Sequence, residues 1–336
     1  MDRRWICNDV WMDILPCFDP AQLGLKLAIL SPRFNALVDK HFDGKSELTI
    51  WRTIIIDKDK GPEPKLYVQM DEKFYKFVPF PLPDRPLPSK IRFKRLQIDY
   101  IDHFVIAFLR SNHQIFDKRG TNLELWIYSA HSSDDQPIWD VFVREMWPIF
   151  ASNIRHLDFI DGDGLDNLRR RTSPTILTDL KLLNSIYSFG LLPDPISDFD
   201  GPNATAGQAL SKWLHSPRKD GQPKRLRCKD FNKHVDIDWV NKFKEHFLRA
   251  NAISSVCYEI HFAVHAPSMQ MVPFELANEQ TKEKLTLIKA SANDLEDNCW
   301  IMKQCKIGES AAVQLQKDEN CNNVLFWLFS GTNCIG

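Results

Sequence analysis

The first fifty positions carry short apolar clusters at helical spacing, punctuated by proline. Val10, Trp11, Ile14 and Leu15 recur at three- and four-residue intervals behind Asn8, a residue suited to cap a helix, and Pro16 ends the run. Asp19-Pro20-Ala21-Gln22 then sets a cap carboxylate, a proline at the first helical position and a glutamine at the third, with Leu23, Leu27 and Leu30 on one face behind it. Ser31-Pro32 repeats the start signal before Phe34, Leu37, Val38 and Phe42. The pattern predicts three short helices. Below roughly 40 residues a lone domain is marginal, so something outside the unit must cover one of its two apolar faces.

After Asp43-Gly44 the period shortens. Leu48 to Ile56 is β-branched and aromatic and Lys65 to Phe80 alternates, which predicts a strand pair. Five prolines between positions 79 and 88 predict a stiff connector, because proline fixes φ and withholds a donor. From Lys94 a short apolar strand followed by a loop and an amphipathic helix recurs. Arg95-Leu96-Gln97-Ile98 leads to Phe104–Leu109; Leu123 to Ile127 leads to Ile138–Phe150; His156 to Phe159 leads to Leu165–Leu180. Leu182 to Ile186 leads to Ala204–Leu214, Arg225 to Cys228 leads to Trp239–Leu248, and Tyr258 to Phe262 closes the series. Phe274-Glu275-Leu276, Leu285 to Ile288 and Trp300-Ile301-Met302 read as antiparallel strands joined by polar turns, with a hairpin at Asn278 to Lys284, capping the open end.

The units between Leu96, Leu123, Leu157, Leu183, Leu226 and Tyr258 vary from about 26 to 43 residues, so any solenoid is irregular and closest to leucine-rich repeats. Strand–helix repetition implies right-handed crossovers and a parallel sheet, curved as a horseshoe or doubly wound. The expected fold class is α/β. Its expected divisions are a helical module at 1–48, a strand pair and Pro-rich linker at 49–90, αβ repeats at 91–265, a β cap at 266–316 and a poorly ordered tail at 317–336.

Composition narrows the partners. Forty-three basic and forty-four acidic side chains leave a net charge of −1, with no global footprint for nucleic acid or an anionic membrane. No apolar run is long enough to span a bilayer, and the N-terminus lacks a signal pattern. Eight cysteines are scattered without a Cys-x-x-Cys, which predicts reduced thiols in a cytoplasmic or nuclear protein and neither a disulfide scaffold nor a zinc site.

The stretch from Asn8 to Phe42 resembles an F-box, most tellingly in Asp-Pro-x-x-Leu followed by Ser-Pro-Arg-Phe-Asn-Ala-Leu-Val. The run from Lys40 through Trp51 and the later segments are similar to the expanded F-box proteins of nematodes. The resemblance implies three helices packed on a Skp-family adaptor and, through it, a cullin, with Skp contacts from Val10, Ile14, Leu15, Pro20, Leu23, Leu25 and Leu27. Phe34 and Leu37 would close the interior. The chain departs from the family in carrying Ile6-Cys7 where members open with Leu-Pro. The alternative is a three-helix cap on the next domain, with the same faces buried within the chain.

Chemistry-bearing patterns are sparse. No Gly-x-Gly-x-x-Gly, Walker loop, His-Glu-x-x-His or Gly-x-Ser-x-Gly occurs, and no cofactor or metal is expected. Asp161-Gly162-Asp163-Gly164 lacks the third acidic position and distal glutamate of an EF-hand and reads as a turn with a helix cap. His261 and His265 lie in a strand and share no helical face. Contacts with an unidentified protein substrate are expected at strand ends and the loops after them, around Tyr128, Asp161, Asp163, Phe231 and the run Arg169, Arg170 and Arg171.

Two function classes follow. The first is a non-catalytic adaptor of a Skp/cullin/F-box ubiquitin ligase, with the horseshoe favoured because F-box proteins commonly carry such repeats and ligand fingerprints are missing. The second is a hydrolase or nucleotide-dependent enzyme on a doubly wound sheet, marked by a pocket at the carboxyl ends of the strands.

Overall fold

A computed structural model describes residues 6–18, 22–43, 49–57, 65–71, 74–79, 92–98, 103–112, 140–159, 162–197, 199–229, 235, 237–251, 256–264, 271–290 and 299–308. The Pro-rich connector after Pro79, the strand at 123–127 and the tail after 316 lie outside these residues.

The N-terminal helices form where the apolar spacing places them. They are α1 (Asn8–Ile14), a wider π-helical turn α2 (Leu23–Leu27) running into a tighter one at Ala28–Leu30, and α3 (Pro32–Phe42). Ser31 caps α3: its backbone is extended and its Oγ accepts from Phe34 N at 3.2 Å, with Pro32 at the first helical position. Asn8 does not cap α1. Its Oδ1 instead accepts from Arg33 Nε at 2.9 Å and Nη2 at 2.8 Å, while Nη2 also donates to Ile6 O at 2.6 Å. A charge-assisted forked donor outcompetes a single neutral amide for the same oxygen, so Asn8 ties α1 to α3 instead. Trp11 and Phe34 add an edge-to-face contact with centroids 4.9 Å apart.

A four-stranded sheet follows in the order β3-β2-β1-β4, built from β1 (Thr49–Asp57), β2 (Lys65–Asp71), β3 (Phe74–Pro79) and β4 (Arg92–Ile98). The expected strand pair is thus an antiparallel three-strand meander. The strand read as the first repeat joins it: β4 runs parallel to β1, with Ile54 opposite Leu96 and Ile56 opposite Ile98. Strand periodicity reveals which side chains alternate but not which strand lies alongside.

After α4 (His103–Ser111) and α5 (Phe142–Met146, continued by Trp147–Phe150) comes a seven-stranded mixed sheet. Its parallel part is β5 (His156–Phe159), β6 (Ser185–Phe189), β7 (Lys224–Lys229) and β8 (Tyr258–Ala263), adjacent in chain order. Its antiparallel part is β9 (Phe274–Asn278), β10 (Glu283–Lys289) and β11 (Cys299–Lys306). The sheet order is β5-β6-β7-β8-β11-β10-β9, so the hairpin strands extend the sheet through β11, antiparallel to β8. The four parallel strands do not reverse order, and a doubly wound crevice forms where such an order reverses.

One register row explains the core. Leu157, Ile186, Leu226, Ile260, Met302 and Leu287 stand side by side across β5, β6, β7, β8, β11 and β10, all buried, with half-buried Phe274 of β9 at the end. The crossover helices pack on this face. They are α6 (Gly162–Arg171) with the short α7 (Ile176–Asp179), α8 (Ala206–Leu214) and α9 (Ile237–Arg249). The single helix expected over Leu165–Leu180 is broken at Ser173-Pro174, where the proline ring disfavours helical backbone in the residue before it. Thr205 starts α8 with a capping box, accepting from Gln208 N at 3.2 Å while its own N–H donates to Gln208 Oε1 at 2.9 Å. On α9, Trp239, Val240, Phe243 and Phe247 form the buried stripe, and Trp239 meets Phe262 of β8 edge-on at 5.4 Å.

Candidate functional site

Two surfaces are candidates, and the first is the N-terminal helical module. Leu15, Leu23, Leu25, Leu37, Val38 and Phe42 are buried, in one apolar cluster continuous with the rest of the core. The inner faces are therefore covered within the chain, as a cap on the following domain would have them. Leu15, Leu23 and Leu25, expected at the Skp surface, belong to this interior. A side chain already packed inside its own chain offers no area to a partner. Val10 is 45% exposed, Ile14 and Leu27 are partly exposed, and Pro20 lies outside the described residues. Phe18 and Leu30, which the resemblance does not assign to the Skp surface, are exposed, Leu30 at 66%.

The second surface is the sheet face opposite the helices. Directly beside the apolar row runs a polar one: His156, Ser185, Arg225, Glu259, Lys303, Thr286 and Glu275 stand in register across all seven strands. Strand pleat makes this inevitable once the apolar row is fixed, since neighbours in sequence point to opposite faces. The next row on the polar face includes Tyr187, Arg227, His261 and Ile301.

Glu259 is the electrostatic centre of that face. Its Oε1 accepts from Lys303 Nζ at 2.9 Å, and its Oε2 lies 3.6 Å from Arg225 Nε and 3.7 Å from His261 Nε2. Burial pushes the carboxyl up, but the adjacent His261 and Lys303 outweigh that and hold it down at about 2. At 3.7 Å the imidazole is beyond hydrogen-bond reach, and neither of its ring nitrogens has a hydrogen-bond partner among the described residues. The centre of the face is packed, with the Glu259, His261 and Lys303 side chains 15–17% exposed, and its open groups are Arg225 and Glu275, 36% and 67% exposed.

The core face carries its own polar group near the start of β8. Tyr258 Oη donates to Gln304 Oε1 at 2.8 Å, Gln304 Nε2 donates to Glu283 Oε2 at 2.9 Å, and Glu283 Oε1 accepts from Val256 N at 3.4 Å. Burial, reinforced by Glu283, raises the Tyr258 phenol. Lys224, buried at the start of β7, donates to Trp213 O and lies 5.1 Å from the Trp213 ring centroid. Burial first and Arg218 second push its ammonium down to about 7.

Only part of the set expected to contact substrate falls within the described residues. Tyr128, Asp161 and Phe231 lie outside the described residues, and Asp163 is exposed in the first turn of α6. The arginine run diverges, because successive helical residues point about 100° apart. Arg169 is only 5% exposed and its guanidinium serves the fold, donating to Ala204 O at 2.8 Å, Pro174 O at 3.2 Å and Gly201 O at 3.3 Å. Arg170 is exposed and bonds Asp166 O and Asn167, whereas Arg171 pairs with Asp140 at 3.0 Å. A cleft of about 190 Å³ between α6 and the segment before α8 is lined by Asp166, Arg169, Arg170, Pro174 and Asn203.

Among the described residues no three His, Cys, Asp or Glu side chains are grouped to hold a metal ion, and no helix is long and apolar enough to cross a membrane. No protein-family model matches the chain, and comparisons with curated proteins and with solved structures return no match.

Proposed function

We propose that this protein is a substrate-recognition adaptor of a Skp/cullin/F-box ubiquitin ligase, acting in the cytoplasm or nucleus without a cofactor. The observation that carries the reading is the sorting of apolar side chains in a module whose sequence resembles an F-box. Leu15, Leu23, Leu25, Leu37, Val38 and Phe42 fill the interior, yet Val10, Phe18 and Leu30 stay outside and Ile14 and Leu27 are partly exposed. Several exposed apolar side chains on so small a module are what a protein partner can cover. The Skp-type subunit docks on Val10, Ile14 and Leu27, with Phe18 and Leu30 at its margin.

The αβ repeats form a curved sheet whose polar face, centred on Arg225, Glu259, His261 and Lys303, receives the substrate protein. No bond is made or broken by this chain. It accelerates ubiquitin transfer by holding the substrate near the charged carrier, where tethering raises effective concentration.

Affinity purification of the full chain with mass spectrometry tests the reading. Recovery of a Skp subunit and a cullin, lost from a Val10→Asp/Leu30→Asp double variant that remains folded, is the expected result. A folded wild-type chain that recovers neither subunit overturns it.

A further inference from the structure

We propose that the outer edge of β9 pairs with β9 of a second copy of this chain, making an antiparallel dimer across a two-fold axis. β9 ends the seven-stranded sheet, and among the described residues no strand lies on its outer side. The direction of its main-chain groups follows from β10. Ala290 N donates to Cys299 O at 2.9 Å and Ile307 N to Lys282 O at 2.9 Å, so even-numbered positions along β10 turn their main-chain groups to β11. Glu283, Leu285 and Leu287 therefore turn theirs to β9, where their partners are Asn278, Leu276 and Phe274. That leaves Glu275 and Ala277 aiming N–H and C=O groups outward, the template on which another strand can pair. Pro273, next in the outward series, has no N–H and ends the edge there.

The side chains along this edge are also incompletely covered. Val272, just before the strand, is 68% exposed, and Phe274 and Leu276 are only half-buried although they stand beside the buried Leu287 and Leu285. Lys244 of α9 covers part of Phe274, with its Nζ 4.1 Å from the ring centroid. Charge then selects how two such edges fit. Of the antiparallel registers that bring the outward groups face to face, one sets Glu275 opposite itself and another sets it opposite Glu279 of the copy, and like charges directly opposite destabilise both. The remaining register sets Glu275 opposite Ala277. It uses every outward group in two hydrogen-bonded pairs, about four main-chain bonds, and places Leu276 against itself in the non-hydrogen-bonded pair on the axis, where side chains come closest. Ala277 lies beside Lys284 of β10, so this small side chain would separate Lys284 from the Glu275 of the copy, an opposite charge.

The dimer does not depend on the adaptor reading. A five-residue strand makes an interface below the roughly 1,200 Å² of stable complexes, so the test is sedimentation equilibrium of the full chain from about 1 to 200 µM. A monomer–dimer equilibrium within that range is expected. Ala277 is exposed and its main-chain groups face away from β10, so changes of its side chain spare the fold. Ala277→Lys sets a cation opposite Glu275 twice across the axis and should tighten the dimer by about threefold or more, while Ala277→Glu should loosen it by as much, with melting unchanged in both. A chain that stays monomeric to about 200 µM overturns the proposal and leaves the edge to a strand of another protein. So does a dimer that the two variants do not shift in these opposite directions, because its interface then lies elsewhere.

Discussion

Lys303 of β11 donates to Glu259 of β8 at 2.9 Å across the seam where the parallel strands meet the antiparallel ones. Arg225 of β7 approaches the same carboxylate from the other side at 3.6 Å. One side chain therefore links three strands through ion pairs that last only while it is ionised.

Acid should reveal that dependence. The Glu259 carboxyl sits at about 2 in the folded chain, below its ordinary 4.5. A depressed folded-state value contributes stability that is present above the ordinary value and lost as pH falls through 4.5 towards 2, worth at most about 3 kcal/mol. Denaturant unfolding of wild type and Glu259→Gln at pH 7 and pH 3 measures it. The variant should be less stable at pH 7 and lose less than wild type on acidification, and equal losses would refute the assignment.

Lys224 should act in the opposite pH range. Its ammonium, buried and short of compensating charge, titrates near 7 against an ordinary 10.5. Between these values the unfolded chain binds the additional proton, so stability rises with pH from about 7 to about 10. Lys224→Met should flatten that slope. An unchanged pH dependence of the unfolding free energy in the variant would remove Lys224 as its source.

The two classes of leucine in the N-terminal module should separate cleanly. Leu23→Asp places a charge where the side chain is 1% exposed and should unfold the module, at a cost of several kcal/mol. Val10→Asp should leave the helical circular dichroism and melting unchanged while weakening the proposed Skp binding by about tenfold or more. If Val10→Asp melts the module as well, that residue belongs to the interior.

Arg169→Ala should cost about 2–4 kcal/mol, because three carbonyls lose a charged donor in a buried setting. Arg170→Ala should fall within about 0.5 kcal/mol of wild type. Thermal melts of the two single variants suffice, and a matched pair would contradict the divergent geometry.

Local patterns were legible wherever they alone decide the outcome. Ser31-Pro32, the stripe on α9 and the alternation of Tyr258 to Phe262 each appear where the residues point. Leu182 to Ile186 misleads by three positions: Leu182 is exposed, and the main-chain N–H groups of Asn184 and Ser185 both donate to Arg155 O, at 2.9 Å and 3.1 Å, so β6 starts at Ser185. The partner of β4 was hidden because pairing with β1 is decided across some forty residues by packing. The polar row was hidden for a related reason. Each strand contributes one side chain to the row, and Arg225, Glu259 and Lys303 become neighbours only through register.

The reversed direction of β11 also fixes where this architecture can change length. A further parallel strand needs a free parallel neighbour, and β8 has given that edge to an antiparallel one. Insertion or loss of a whole strand–helix unit must therefore fall upstream of β8, while the closing hairpin strands pass through such changes as a unit.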